Sequence, residues 1–332
     1  MPAAFVTGGS GFVGGRLIER LVGDGWNVRG LARSDTAAAA VQSRGAEPVS
    51  GDLDDRHALA AGAQGADVTF HAAAHTADFG PWADFQRITV DGTRNVLRAS
   101  REAGVKRFVH VGSEAALLHG QPVVHGDETL PLAFHSKAFY PRSKALAEQA
   151  VLEEGRAGFE AVVVRPRFVW GRGDTTLLPI LVDAARSGQL RWVGGGRHLT
   201  SITHIDNTVE GLMLAAGKGK PGRVYFVTDG ENVVFREFVS ALLETQGVKA
   251  PEGNMPAFAA RALAAGGETA WKLLRLKGRP PLTRFAAWIS SQECTLDDHR
   301  AREELGYAPI VTREQGLREL REATAAAARP AV

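Results

Sequence analysis

A short apolar run, AAFVT at residues 3–7, passes directly into TGGSGFVG at 7–14 and then into a helical pattern. No other stretch confines the fold so narrowly. A strand-to-helix turn that admits a pyrophosphate needs one glycine for the tight bend, a second so that backbone can approach the phosphates, and a third for close helix packing. Gly8, Gly11 and Gly14 fit those roles. The N–H groups near Phe12 and Val13 would then face the negative charge at the start of the helix. A glycine-rich turn without a ligand is the alternative.

The next two hundred or so residues repeat the same alternation. Apolar runs at 3–7, 27–32, 47–50, 67–71, 107–111, 161–165 and 224–227 predict strands, and periodic segments at 12–22, 54–63, 84–103, 141–154, 178–187 and 207–216 predict helices. Strands joined by crossover helices imply an α/β fold: a doubly wound parallel Rossmann sheet with a smaller, mostly helical C-terminal substrate lobe. We read residues 1–165 as the dinucleotide-binding domain, with strand 222–228 returning to it. Residues 166–221 and 229–330 form the substrate-binding lobe in this reading. The alanine runs at 37–40 and 325–328 read as helix or tail.

Composition removes several function classes. At 332 residues, 44% hydrophobic and 23% charged, the chain reads as an ordinary globular protein. Its 39 basic and 37 acidic side chains leave a formal charge of +2 without a one-signed cluster, so nucleic acid is not an expected partner. The single cysteine, Cys294, forms no internal disulfide and reads as a small buried apolar residue, which favours a reducing, cytoplasmic home. No apolar run reaches the roughly 18 residues of a membrane span.

Cofactor choice is read at the end of the second strand, where an acidic side chain would hold the ribose 2′-hydroxyl. LARS stands there: Ala32 leaves that place empty, and Arg33 with Ser34 is able to pair with a 2′-phosphate. This favours NADP over NAD, a solvated surface arginine being the alternative. In SGDLDD, Asp52 and Leu53 close the third strand. Asp52 is placed either to accept from the adenine amino group or to cap the next helix.

YPRSK puts Tyr140 and Lys144 four apart, on one face of a helix. A phenol ordinarily ionises near pH 10, so proton exchange at neutral pH calls for a neighbouring cation, which Lys144 supplies. Ser113 follows an apolar strand, at the end where open sheets bind ligands.

Together the glycine turn, Asp52, the HAAA run at 71–74, Ser113 and the YxxxK helix resemble the extended short-chain dehydrogenase/reductases, the NAD-dependent epimerase/dehydratase superfamily. VHVGSEAALL, YPRSKALAE, VVVRPRFVWGRGDTTLLP and TSITHIDNTVEGLMLA are most similar to its 3β-hydroxysteroid dehydrogenase-like branch. The resemblance implies that Ser113 orients the substrate oxygen, Tyr140 exchanges the proton, and Lys144 binds the ribose and acidifies the phenol. It also places Ala72, Ala73, Pro166, Phe168 and Val169 along the cofactor, with Arg165 and Pro166 as the family's RP step. Two departures stand out. Asp91 replaces the usual asparagine in VDGTRN, and GSE replaces the threonine–aspartate–glutamate of the dehydratases, which disfavours water elimination.

The implied activity is an NADP-dependent interconversion of secondary alcohol and ketone on a fairly apolar small molecule. A sugar-nucleotide epimerase with tightly held NAD is the alternative, and a non-catalytic dinucleotide sensor comes third. A homodimer is left open. His71, His75, His119, His125 and His135 are scattered without ligand spacing, so no metal site is expected. His204 and Asp206 either orient a ligand or cap a helix. Residues 257–289 gather Phe258, Leu263, Trp271, Leu274, Leu276, Phe285 and Trp288 among basic side chains. They read either as core or as a lid over a lipophilic substrate that touches a membrane surface peripherally.

Overall fold

The computed structural model describes residues 1–327. Seven strands form one parallel sheet in the spatial order Val224–Val227, Glu160–Pro166, Arg107–Val111, Val68–His71, Ala3–Thr7, Asn27–Ala32, Glu47–Ser50. The chain starts in the middle, winds to one edge, and returns to build the other half. The order reverses between Ala3–Thr7 and Val68–His71, which opens a crevice at their carboxyl ends.

Both sheet faces are covered, which explains why the central strands read as nearly unbroken apolar runs. Ala4, Val6, Val109, Val162, Val164 and Tyr225 pack beneath helices Phe12–Gly23, Ile205–Lys218 and His299–Leu305. Phe5, Leu31, Phe108, Ala161 and Val163 pack beneath Arg56–Ala63, Gly92–Glu102 and Phe139–Arg156 on the other face.

Two elements depart from the sequence reading. The helix expected over 84–103 is broken into Trp82–Asp84, a π-helical stretch Phe85–Asp91, and Gly92–Glu102. The wider π turn accompanies Thr89, whose hydroxyl accepts from His75 N–H and whose carbonyl accepts from Thr93. The C-terminal lobe is also less purely helical than expected. Cys294–Leu296 joins Leu199–Thr200, Val233–Val234 and Val123–Gly126 in a second sheet, and Asn254–Met255 pairs with Trp192–Val193. Two- and three-residue strands carry too little periodicity to be read from sequence. Residue 328 of the second alanine run, and 328–330 of the lobe, lie outside the described residues.

Candidate active site

The crevice widens into a cleft of about 1430 Å³. One small-ligand pocket occupies roughly 300–1,000 Å³, so this volume is room for a cofactor and a substrate together. Gly8, Gly11, Phe12, Val13 and Gly14 line one end. Gly8 adopts φ +74°, and a Cβ there would meet Ala73 N at 2.7 Å. A Cβ on Gly14 would sit 2.3 Å from Gly8 O, whereas one on Gly11 would meet only that oxygen, at 3.3 Å. Gly8 and Gly14 thus permit the bend and the close helix, and Gly11 leaves the approach to backbone open. The N-cap residue Gly11 offers no side-chain cap, so the first-turn N–H groups remain for an anionic ligand. A dinucleotide fits this cradle.

Around it, Arg33, Asp52, Leu53, Ala72, Ala73, Pro166, Phe168 and Val169 line the same cleft. Phe168 holds φ +45°, unusual for an aromatic residue, and packs edge-on against Phe235 and Phe238. Ser34 is the exception: its hydroxyl caps helix Asp35–Gln42 by accepting from Ala37 N–H, and it is absent from the cleft wall. Asp52 accepts from Asp54 N–H, while Asp55, three residues further on, caps Arg56–Ala63.

Ser113, Tyr140 and Lys144 line the same cleft. Ser113 ends the strand Arg107–Val111 after one glycine, and helix Phe139–Arg156 carries the other two. A buried ion pair anchors that helix to the sheet. Glu148, one turn beyond Lys144, accepts from Arg165 Nε at 2.8 Å and also from its Nη2, both side chains being nearly inaccessible. Arg165 of the RP step therefore faces the helix rather than the cleft.

The electrostatics differ from expectation. Burial and the carboxylate of Glu114 push the Tyr140 phenol up to about 12, with the Ser113 hydroxyl partly opposing them. The Lys144 ammonium donates to Val111 O at 2.8 Å, and burial pulls it down to about 8 against the pull of Glu148 and Glu114. The hydrogen bond that the ammonium makes thus runs to the strand end.

Several other residues have settled roles. His71 is wholly buried, bonded to Thr7 and Thr93, and held down to about 3 by burial and by Lys144. It ties two strand ends to the following helix. His204 accepts from Asp206 N–H as a helix cap, and Asp206 pairs with Arg16. Together with Glu319 they form the only three-residue cluster with metal-ligand spacing among the described residues, a geometry the Arg16 pair accounts for without an ion. Asp91 faces Gln86 and Arg94. Burial pushes the Cys294 thiol up to about 11.

The sequence reading missed two wall residues, Glu114 and Arg167. Arg167 was detectable only as a second arginine beside Pro166: alternation would put it on the face of Arg165, yet the strand ends there and the two arginines pair with different glutamates. Its partner, 53 residues away, was not. Of the apolar group at 257–289, Trp288 is buried, but Phe258, Leu263, Leu274 and Leu276 are exposed. The core reading fails for these four because helix Ala257–Leu273 turns Phe258 and Leu263 outward and Leu274 and Leu276 follow its exposed end; Leu263 and Phe285 also reach the cleft.

A dinucleotide cradle at a topological switch point, opening on a polar triad, defines an NAD(P)-dependent oxidoreductase of the extended short-chain dehydrogenase/reductase superfamily. The chain belongs to the 3-beta hydroxysteroid dehydrogenase/isomerase family, whose family model matches residues 5–257. It is 50% identical over 319 residues to a 4-hydroxy-2-methyl-3-oxo-4-farnesyl-3,4-dihydroquinoline-1-oxide ketoreductase of Stigmatella aurantiaca, covering 96% of both chains. It is 36% identical to a 2-alkyl-3-oxoalkanoate reductase of Stenotrophomonas maltophilia, covering 97% of this chain and 99% of that one. Among solved structures, gox2253 superposes with a TM-score of 0.76 at 29% identity, covering 97% of this chain and 98% of that chain. A dTDP-glucose 4,6-dehydratase of Streptomyces venezuelae holding NAD shares the fold, with TM-score 0.76 at 23% identity and 97% and 96% coverage. The chemistry is that of a carbonyl/alcohol oxidoreductase. Among the described residues no helix is long and apolar enough to cross a membrane.

Proposed function

We propose that the protein interconverts a ketone and a secondary alcohol on a fairly apolar substrate, using NADP in preference to NAD and Ser113, Tyr140 and Lys144 as its working side chains. The observation that carries this reading is the sharing of one cleft by the triad, the glycine turn and Arg33. Phe168, Leu181, Trp192, Phe235, Phe285 and Ile289 give the substrate side an apolar wall. The names of two relatives carry a farnesyl and an alkyl group, in keeping with such a wall.

The nicotinamide, when bound, supplies or takes up a hydride at the substrate carbon. Residues 1–165, with strand 222–228, hold the dinucleotide, and the remainder holds the substrate. Backbone at Gly11, Phe12 and Val13 binds the pyrophosphate, and Arg33 pairs with the 2′-phosphate. The Lys144 ammonium binds ribose hydroxyls, and the Ser113 hydroxyl orients the substrate oxygen. Tyr140 gives its phenolic proton to that oxygen in reduction and receives it back in oxidation. The exposed Phe258, Leu273, Leu274 and Leu276, beside Lys272, Arg275 and Lys277, would rest on an anionic lipid surface from which an apolar substrate enters.

Tyr140→Phe tests the reading: turnover of an apolar ketone falls by about 10² or more while NADPH binding is retained, the usual scale for removing a positioned acid. Near-wild-type turnover would remove Tyr140 from the mechanism. A companion NADPH-oxidation screen covers ketosteroids, terpenoid ketones, β-keto esters and sugar nucleotides. Tightly co-purified NAD, with no net NADPH consumption on any of them, would point to an epimerase instead.

A further inference from the structure

A second cavity, of about 590 Å³, lies outside the substrate cleft and has the size of a small-ligand pocket. Its floor is apolar: Leu132, Phe134, Ala264, Ala287 and Trp288. Trp288 is 7% exposed, and its indole lies so close to the chain that a Cβ on Gly120 would meet it at 3.2 Å. Lys137, Arg261 and Arg284 stand around this floor with His119 and His135, and among the described residues no carboxylate lines the cavity. The chain as a whole is nearly balanced, with 39 basic and 37 acidic side chains, so a lining of one sign does not follow from its composition.

Which of these charges are free decides what the cavity attracts. Arg284 is committed: its Nη1 donates to Glu268 Oε2 at 2.6 Å, and its backbone N–H donates to the other oxygen at 2.7 Å. Arg261 donates from Nη2 to Gln292 Oε1 at 2.7 Å, a neutral acceptor that leaves its charge uncompensated. Lys137 is exposed, and neither it nor Arg261 forms an ion pair among the described residues. Two unpaired cations beside an apolar floor suit a molecule with an anionic head and an apolar body.

The cavity and the cleft share a wall. Helix Arg284–Ser291 turns Arg284, Ala287 and Trp288 toward the cavity, at the three- and four-residue spacing of one helix face. Phe285, Ala286, Ile289 and Ser290 line the cleft instead. Phe285 packs against Tyr140 with ring centroids 5.3 Å apart. Thr283 caps this helix by accepting from Ala286 N–H, and it donates to Asp78, which also lines the cleft.

We propose that this second cavity is a binding site for a small apolar carboxylate, held by Lys137 and Arg261 and seated on Trp288, whose occupancy bears on the substrate cleft through their common helix. Binding stands on the cavity alone; its effect on turnover rests on the reading of Tyr140 given above. Protein interiors are close-packed and transmit strain, so a ligand seated against Ala287 and Trp288 shifts the helix that holds Phe285 against Tyr140.

Two of the six tryptophans report on the two sites separately, because Trp288 lines the cavity and Trp192 lines the cleft. Octanoate is titrated into the isotope-labelled full chain with NADPH present, and the indole N–H resonances are followed by NMR, assigned from Trp288→Phe and Trp192→Phe. The Trp288 resonance should shift and saturate with octanoate but not with octylammonium, which has the same tail and the opposite charge. Lys137→Glu/Arg261→Glu, at two exposed positions, should weaken octanoate by about tenfold or more, the scale of one lost charge-assisted hydrogen bond, and leave NADPH binding unchanged. Octanoate should also change the KM of an apolar ketone in the wild type and not in this variant. A silent Trp288, an equal response to octylammonium, or a shift confined to Trp192 would overturn the site. Saturation of Trp288 with KM unchanged, or changed equally in the variant, would overturn the coupling through the helix. Full turnover in Tyr140→Phe would instead overturn the reading of the cleft, while the Trp288 titration decides the binding site by itself.

Discussion

Replacing Gly14 by alanine places two opposing effects at one position of helix Phe12–Gly23. Helix propensity favours alanine over glycine by about 1 kcal/mol. Against this, the new Cβ lands 2.3 Å from Gly8 O, 2.7 Å from Gly8 C and 3.1 Å from Gly9 N. The shortest of these falls about 1 Å inside the 3.4 Å at which ordinary contact begins. All three neighbours are backbone atoms of the turn and cannot swing aside as a side chain would. Overpacking of this kind costs about 1–3 kcal/mol, so the net effect is destabilising by about 1 kcal/mol. Relief comes from moving the start of the helix away from the turn, which withdraws its N–H groups from the pyrophosphate. We expect NADPH affinity to fall tenfold to a hundredfold, about 1.4 kcal/mol for each factor of ten. Fluorescence titration with NADPH, alongside thermal denaturation of the cofactor-free chain, provides the measurement. Gly23→Ala is the control, since at that far end of the same helix a Cβ meets nothing within 4 Å. Should Gly14→Ala bind NADPH and melt as Gly23→Ala does, the close approach of helix and turn plays no part in cofactor binding.

Two further outcomes test other parts of the reading. Arg33→Ala should weaken NADPH much more than NADH, because the exposed guanidinium at the adenosine end would contact only the 2′-phosphate; equal losses in a binding titration would show that Arg33 does not read it. Sedimentation with anionic phosphatidylserine vesicles should carry down the full chain and should fail for Leu273→Glu/Leu274→Glu, two residues that are 80% and 65% exposed. Absence of wild-type binding would remove the lipid contact.

Features written in contiguous residues were legible before any coordinates. The glycine turn, the strand periodicity and the four-residue spacing of Tyr140 and Lys144 are local, and each carries its own geometric reason. Hence the seven strands stand where the apolar runs predicted them, within a residue or two at their ends. The strands and broken helix that were missed are short or irregular. They form because tertiary partners supply hydrogen bonds that no local pattern announces, as Ser201 does for Leu296 N–H across 95 residues.

The amino-acid order alone determined the class of fold and the glycine turn, since these depend on backbone freedom and on the periodicity of neighbouring residues, whereas it is the fold that brings Ser113 into one cleft with Tyr140 and Lys144. Only the folded chain decided the charge state of the site. The ionisation of a phenol depends on what surrounds it in three dimensions, and here that is a carboxylate held by an arginine from a distant strand end, while the nearby ammonium is turned toward a backbone carbonyl. Burial and long-range pairing act through space, which is why the four-residue spacing put Lys144 on the helix face of Tyr140 while only the fold showed its ammonium donating to Val111 O.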